Sequence, residues 1–373
     1  MTRVGLLRGG QLGRLLALAG QPLGLRFRVF DPEPDCPAAG LGEHVQARFD
    51  DEEALDRFAD GLDVVTCEIE GIPADALARL AARVPVRPQP EALALKQDRL
   101  LEKRWLHGLG LRTARFAPAE CEADLAAALA ITGFPAVVKR RSRGYDGRGQ
   151  VVVRAADAAA AAWATLGGEP LLVEQGVEFA RELALIAVRG LDGEMRAYPL
   201  TESFHQDGIL CSALAPAPQL GDGVQDAAEV IARQLLLALD YVGVLAVELF
   251  ALRSGELLVN EIAPRVHNTG HWTIEGAETS QFENHLRAIC GLPLGATAAV
   301  GSSFLANVIG APPDLPALLR VPDTHVHLYG KASRPGRKIG HVTARAQSTP
   351  ELRLRGEAVG RLLSTTNRYG RIS

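Results

Sequence analysis

The densest set of reactive side chains in this chain lies between positions 257 and 272, LLVNEIAPRVHNTGHW. An apolar run there meets an amide (Asn260), a carboxylate (Glu261), a guanidinium (Arg265), a second amide (Asn268) and two imidazoles (His267, His271). Bounded by Gly255 and Pro264, residues 257–262 read as a short strand buried on both faces. Hard oxygen donors at a strand end, followed by cations in a loop, suit a metal and an anion brought together. A second apolar run, 244–251, carries Glu248. A carboxylate inside such a strand is costly unless a cation pairs with it. Glu248 and Glu261, with Asn260 beside the second, are therefore expected to hold magnesium, which takes one or two carboxylates together with nucleotide phosphates.

Two basic stretches point to an anionic ligand. Residues 139–150, KRRSRGYDGRGQ, place three glycines and five cations between two expected strands. That composition suits a positive lid over phosphates. It is not a Walker loop, because GxxxxGK[ST] is absent and a strand follows. Residues 331–345 contain Lys331, Arg334, Arg337, Lys338, His341 and Arg345 without an acidic residue. No aromatic interleaving of the strand-binding kind occurs there, so a phosphorylated small molecule fits better than a polymer. The chain's net charge of −4 likewise gives no footprint for nucleic acid.

The elements that must position these groups can be outlined. Residues 4–7, 11–19 and 25–30 read as strand, helix and strand with a glycine-rich first turn. The dinucleotide fingerprint needs glycine where Arg8 stands, which argues against a nicotinamide cofactor. The N–H groups of Gly9 to Leu12 at a helix start still suit a phosphate or carboxylate. A strand at 62–69 ends at Glu68 and Glu70, either of which can face the crevice of an open parallel sheet. Proline-rich 85–90 marks a boundary. One helix is expected over 91–107, with most of the bases Lys96, Arg99 and Lys103 solvated. A second unit follows, with helices at 122–130 and 155–166 and strands at 136–139 and 171–174. From residue 181 onward, antiparallel strands are expected at 182–189, 194–199 and 209–214, then a helix at 226–239, a helix at 281–290 and a strand near 303–308.

With 373 residues the chain exceeds the usual size of one core, so two or three domains are expected. Five scattered cysteines without a CxxC pair read as free thiols in a reducing cytoplasm. The most apolar long stretch, 235–252, carries Asp240 and Glu248, so no membrane span is expected. No secretory leader is expected either, since Arg3, Arg8 and Arg14 interrupt the first twenty residues.

Together, Gly9–Arg14, Gln97–Arg99, Gly144–Gln150, Glu174–Val177, His205–Leu210, Asn260–Asn268, Ser280–Glu283 and Arg334–His341 resemble the motifs of ATP-grasp ligases, nearly end to end. The last few are closest to the branch that carboxylates an aminoimidazole ribonucleotide in purine synthesis. The resemblance implies an α/β and α+β fold. Its parts are an N-terminal Rossmann-like (pre-ATP-grasp) domain at 1–112, a small central lid domain at 113–178 and a C-terminal mixed-sheet domain at 179–373. The last would include a substrate-binding segment from about 300. It also implies a cytoplasmic, homodimeric carbon–nitrogen ligase whose cofactors are ATP and Mg2+. Bicarbonate would be phosphorylated to carboxyphosphate and its carbon passed to the ribonucleotide's amine, the product going to a separate mutase.

By motif, Arg99, Lys139, Gly144, Tyr145, Asp146, Gly147, Arg148, Gly149, Gln150, Glu174, Gln175, Gly176, Val177, Glu182, His205, Asn260 and Glu261 would touch ATP. Arg265, His267, Asn268 and Lys338 would carry the chemistry on bicarbonate. Gln11, Glu70, Tyr145, Asp146, Lys331, Arg337 and Lys338 would hold the ribonucleotide, with Glu68 the rival of Glu70. Arg143 and Arg8 depart from the family pattern. A formate-dependent or biotin-carboxylase type of the same fold, or a non-catalytic nucleotide-binding module, are the competing readings.

Overall fold

The computed structural model describes residues 1–142 and 149–363. Among them the strands form three sheets. The first contains β1 (Arg3–Leu7), β2 (Arg26–Phe30), β3 (Glu43–Val45) and β4 (Val64–Cys67). It is parallel throughout, in the order β3-β2-β1-β4. β1 from Val4 onward and β4 are buried on both faces, as helix-covered parallel strands are, whereas β2 carries Arg26 and Arg28 on one face and the edge strand β3 is polar. Arg8, which follows β1, takes φ +69°, the left-handed region that glycine occupies freely. Its N–H reaches Phe30 O and its guanidinium reaches Asp31, which hold that conformation.

The second sheet contains β5 (Phe116–Ala119), β6 (Ala136–Arg140), β7 (Gln150–Val153) and β8 (Leu171–Gln175), antiparallel in the order β5-β8-β6-β7. The third contains β9 (Arg181–Arg189), β10 (Met195–Ala197), β11 (Thr201–Gln206), β12 (Ile209–Ala215), β13 (Gly243–Ala251), β14 (Leu257–Ala263), β15 (Ser302–Ile309), β16 (Thr324–Leu328) and β17 (Lys338–Ala346). Its order is β14-β13-β9-β11-β12-β15-β17-β16, with β10 on β9. Every pairing in it is antiparallel, as expected from residue 181 onward. Short turns such as Asp207-Gly208, both at positive φ, return the chain directly and leave no room for a parallel crossover.

One core joins the first sheet to the third. Leu15 and Leu16 of helix Gln11–Gly20 pack with Phe282 and Leu286 of helix Gln281–Ile289 and with Val244 and Ala246 of β13. Each buried Leu, Val or Phe among these contributes roughly 1.5–3 kcal/mol by burial.

The single helix expected over 91–107 is two, Pro90–Lys96 and Arg99–Gly108. Gln97 ends the first, and Asp98 caps the second, accepting from the N–H groups of Leu100 and Leu101. Lys96, Arg99 and Lys103 are not solvated: Lys103 is 3% exposed, and all three enter buried ion pairs.

Candidate active site

Adjacent strands of the large sheet deliver the carboxylates. β14, β13, β9 and β11 bring Glu261, Glu248, Glu182 and His205 side by side, and Glu248 lies opposite Glu261 in register. The pairing then slips, so that Leu249 faces Val259 and Asn260 is the extra residue of a β-bulge. In a regular strand Asn260 and Glu261 would point to opposite faces; the bulge turns both toward one cleft. Glu182, Ser203, His205, Glu248, Phe250 and Asn260 line it.

The two facing carboxylates differ in their partners. Glu261 Oε2 lies 2.6 Å from Lys96 Nζ and 3.1 Å from Arg99. Burial opposes its ionisation, but Lys96 and Arg99 outweigh burial and hold its carboxyl well below the usual range. Glu248 pairs with an imidazole instead, His267 Nε2 at 3.3 Å. Burial, and next the charge of Glu261, push it up to about 7. His205 Nδ1 lies 3.0 Å from Glu182. Burial disfavours its charged form, yet the hydrogen bond to Glu182 and the charge of Glu248 raise its pKa overall.

Helix Arg99–Gly108 clamps the β14 bulge. Fully buried Glu102 accepts from Ile262 N at 2.8 Å and pairs with Lys96 at 3.0 Å. Lys103 Nζ donates to Asn260 O at 2.6 Å and reaches Glu174 at 3.1 Å. Lys139 of β6 takes the other oxygen of Glu174. Burial works against charge on Glu174, but the two lysines bring it down to about 2, while burial lowers Lys139 despite Glu174. The small sheet is thereby tied to the bulge through Glu174 and Lys103. Beside it, Gly176 has no room for a side chain, since a Cβ would meet Pro135 O at 2.7 Å. Gln175 instead accepts from Arg115, and Gln150 pairs with Lys139 across β6 and β7.

The loop after β14 carries the anion candidates. Arg265 lies 2.9 Å from Glu70. His267 is anchored by Gln281, which accepts from its N–H at 2.9 Å and donates to its carbonyl at 2.5 Å, while its Nδ1 meets Thr269 at 2.8 Å. Burial, and next Arg265, hold His267 well below the ordinary imidazole range, so it is neutral. Asn268 Oδ1 is buried without a partner. Lys338, half-buried at the start of β17, acts electrostatically on both His205 and His267.

The N-terminal cradle is not open to a ligand in the way the sequence suggests. Asp31 accepts from Gly9 N at 2.7 Å, and Glu68 accepts from Gly10 N at 2.6 Å and Gly13 N at 2.8 Å. The chain's own carboxylates satisfy this helix start. Glu68 thus caps this helix start, and Glu70 faces Arg265. Gln11 meets Lys331, and Arg337 turns back to Ala332 O. Gly144, Tyr145, Asp146, Gly147 and Arg148, with Arg143, lie outside the described residues. Lys96, Glu102, Lys103, Ser203 and Phe250 were not singled out as site residues. The periodicity of 91–107 places Lys96 and Lys103 in solvent, so nothing in the sequence points to them.

A model of the ATP-grasp domain matches residues 104–282, one of the ribonucleotide synthetase preATP-grasp domain residues 1–97, and one of the phosphoribosylaminoimidazole carboxylase C-terminal domain residues 303–355. The fold and its paired carboxylates define an ATP-grasp ligase. The chain is 50% identical over 353 residues to the N5-carboxyaminoimidazole ribonucleotide synthase of Pseudomonas aeruginosa, covering 95% of this chain and 97% of that protein. N5-carboxyaminoimidazole ribonucleotide synthetase from Thermus thermophilus is 51% identical with a TM-score of 0.92, over 97% of this chain and 98% of that one. The Aspergillus clavatus N5-carboxyaminoimidazole synthase, solved with ADP and 5-aminoimidazole ribonucleotide, is 33% identical with a TM-score of 0.90, over 99% of each chain. This chain belongs to the N5-carboxyaminoimidazole ribonucleotide synthase family.

Proposed function

We propose that the chain joins bicarbonate to the amine of 5-aminoimidazole ribonucleotide at the expense of ATP, giving the N5-carboxylated nucleotide, ADP and phosphate in purine synthesis. The observation that carries this reading is the continuity of β14 with its loop: Glu261 and Asn260 on the nucleotide side pass within a few residues to Arg265, His267 and Asn268 on the acceptor side. Phosphoryl transfer asks chiefly for positioning and charge neutralisation. Lys139 and Arg99 supply positive charge toward the phosphates. Arg265 and Lys338 supply it toward bicarbonate and carboxyphosphate. His267, neutral and fixed at both ends of its backbone, orients without adding charge. Gln11, Glu70, Lys331, Arg337 and Lys338 are assigned to the ribonucleotide.

Glu248 and Glu261 fit a magnesium ion. Two carboxylates on neighbouring strands, one of them forced up in pKa by burial and by the other's charge, are hard donors of the kind it prefers. Bound there, it would neutralise the phosphate oxygens. The reading includes a homodimer in the cytoplasm that passes its product to a separate mutase, and domains at 1–112, 113–178 and 179–373, which follow the three sheets. Among the described residues no helix is long and apolar enough to cross a membrane. The test is ADP release with ribonucleotide plus bicarbonate against formate plus glycinamide ribonucleotide. Stimulation by the second pair and not the first overturns the proposal.

A further inference from the structure

Residues 268–276 lie over one face of the large sheet, and beside the apolar Trp272, Leu305 and Tyr329 the layer between them holds an unusual number of polar groups. Among the described residues of this loop and the sheet, Asn268 Oδ1, His271 Nδ1 and Glu275 Oε2 are buried with no hydrogen-bond partner. From the sheet, so are Ser203 Oγ on β11, Asn307 Oδ1 on β15, and His341 Nε2 and Thr343 Oγ1 on β17. Register puts these on one face: Asn307 pairs with His341, Leu305 with Thr343, and Ala213 links Leu305 to Ser203. The loop sits close to the sheet, since a Cβ on Gly276 would fall 2.2 Å from Ser303 Oγ, another buried unpartnered atom. So many dry polar groups would cost more than a domain's net stability. Buried polar groups in this situation take internal water.

Three imidazoles run through the layer. The rings of His271 and His341 are 4.7 Å apart, and His341 stacks on His327 at 4.5 Å. His327 Nε2 lies 2.5 Å from Glu275 Oε1, and Tyr329 OH lies 2.7 Å from His341 Nδ1. His271 and His341 are fully buried, whereas His327 stands half-buried on the edge strand β16. The line therefore starts at Asn268, in the acceptor loop, and ends at the rim of the sheet. Arg265, Lys338 and His327 face His271 and, after burial, disfavour charge on it. Arg345 borders the outer end, donating to Glu275 O at 3.0 Å. A neutral imidazole has one donor and one acceptor nitrogen, so it can take a proton on one side and release one on the other.

The reaction needs such an exit. In ATP4− + HCO3− + R–NH2 → ADP3− + HPO42− + R–NH–COO− + H+, the amine nitrogen bonds the bicarbonate carbon. One bicarbonate oxygen leaves with the γ-phosphoryl group, and one N–H proton must depart. We infer that the layer between residues 268–276 and the sheet is a water-filled proton outlet, in which His271, His341 and His327 pass that proton from the acceptor loop to solvent beside Glu275. This inference rests on the carboxylation proposed above.

The wild-type enzyme is first assayed for ADP release dependent on ribonucleotide and bicarbonate. Silence there overturns the carboxylation and, with it, the outlet. In an active enzyme, His327→Gln and His271→Gln are then compared with wild type in dilute and concentrated imidazole buffer. In dilute buffer kcat is expected to fall about tenfold in the variants, with unchanged KM for ATP. Added imidazole restores it, and the wild-type rate does not respond to buffer. The outlet is overturned by a variant rate equal to wild type in dilute buffer, or by a loss that imidazole does not restore. His327→Gln, on the exposed edge, decides the matter where His271→Gln fails to fold.

Discussion

Glu248 and Glu261 stand opposite each other on β13 and β14, yet the ion pairs of Lys96 and Arg99 on this strand pair fall on Glu261, while Glu248 pairs with His267. Glu248 is raised from its ordinary 4.5 to about 7, by burial first and by Glu261 second. In protein free of metal and nucleotide the native state thus holds a proton that the unfolded chain releases. The stability associated with it is complete below about 4.5 and is lost as pH rises through about 7. Glu248→Gln is expected to flatten this part of the profile. Urea denaturation between pH 4.5 and 8 checks it, and a parallel profile for the two proteins counts against the assignment.

Lys103→Met keeps the length of the side chain and removes its charge. Glu174 then keeps only Lys139, and Asn260 O loses its donor. A loss of about 2–4 kcal/mol is expected, because a buried charge and a carbonyl are left undersatisfied. KM for ATP should rise as well, since the bulge and the small sheet are joined through this side chain. Denaturant unfolding alongside nucleotide titration reads both; a variant as stable as its parent would sink the clamp.

These two cases show what the sequence could and could not disclose. The poor alternation of 257–262, a carboxylate within an apolar strand and the cations of the following loop were legible, because each departs from what a strand of that kind carries. The end of β1 at Leu7 falls where the sequence places it, while β4 stops at Cys67, two residues short of the expected 69, and β14 runs one residue further, to Ala263. What was hidden depends on tertiary contact. Lys96 and Lys103 look like solvated helix cations, and only the approach of β14 and β8 buries them. Gly9 to Gly13 look like an open anion cradle, and only the end of β4, with Asp31 after β2, brings the carboxylates that fill it. Asp98 was legible as a cap in principle, but the apolar periodicity on both sides of it concealed the break.

The filled cradle makes its own prediction. A Cβ at Gly10 would lie 2.0 Å from Glu68 Oε1, so Gly10→Ala must displace the carboxylate that caps helix Gln11–Gly20. Gly10 has φ −72°, so the effect is contact and not backbone strain. Gly10→Ala and Glu68→Ala are each expected to cost about 1–2 kcal/mol through the lost cap. Both should raise KM for the ribonucleotide through Gln11, with KM for ATP unmoved. If the double variant is worse than either single one by the full sum, Gly10 and Glu68 do not act as one unit.

Arg265 offers the sharpest separation of the two sides of the site. Its guanidinium meets Glu70 from the first sheet and acts on His267 in its own loop, whereas the cations on Glu261 are Lys96 and Arg99. Arg265→Ala should therefore leave nucleotide binding intact while removing the charge that faces bicarbonate. A fall of about 10²–10³ in kcat is expected from the loss of one electrostatic stabiliser, with the Kd for ATP within a few-fold of wild type. Glu70 is left without its cation in the same variant, so Glu70→Gln is the control. If the loss comes only from an unpaired Glu70, the pair Arg265→Ala with Glu70→Gln regains activity. If Arg265 itself holds the anion, the double variant stays as slow as the single one. ADP release at saturating bicarbonate, with ATP affinity measured in parallel by calorimetry, distinguishes these, and an undiminished rate in Arg265→Ala removes Arg265 from the chemistry.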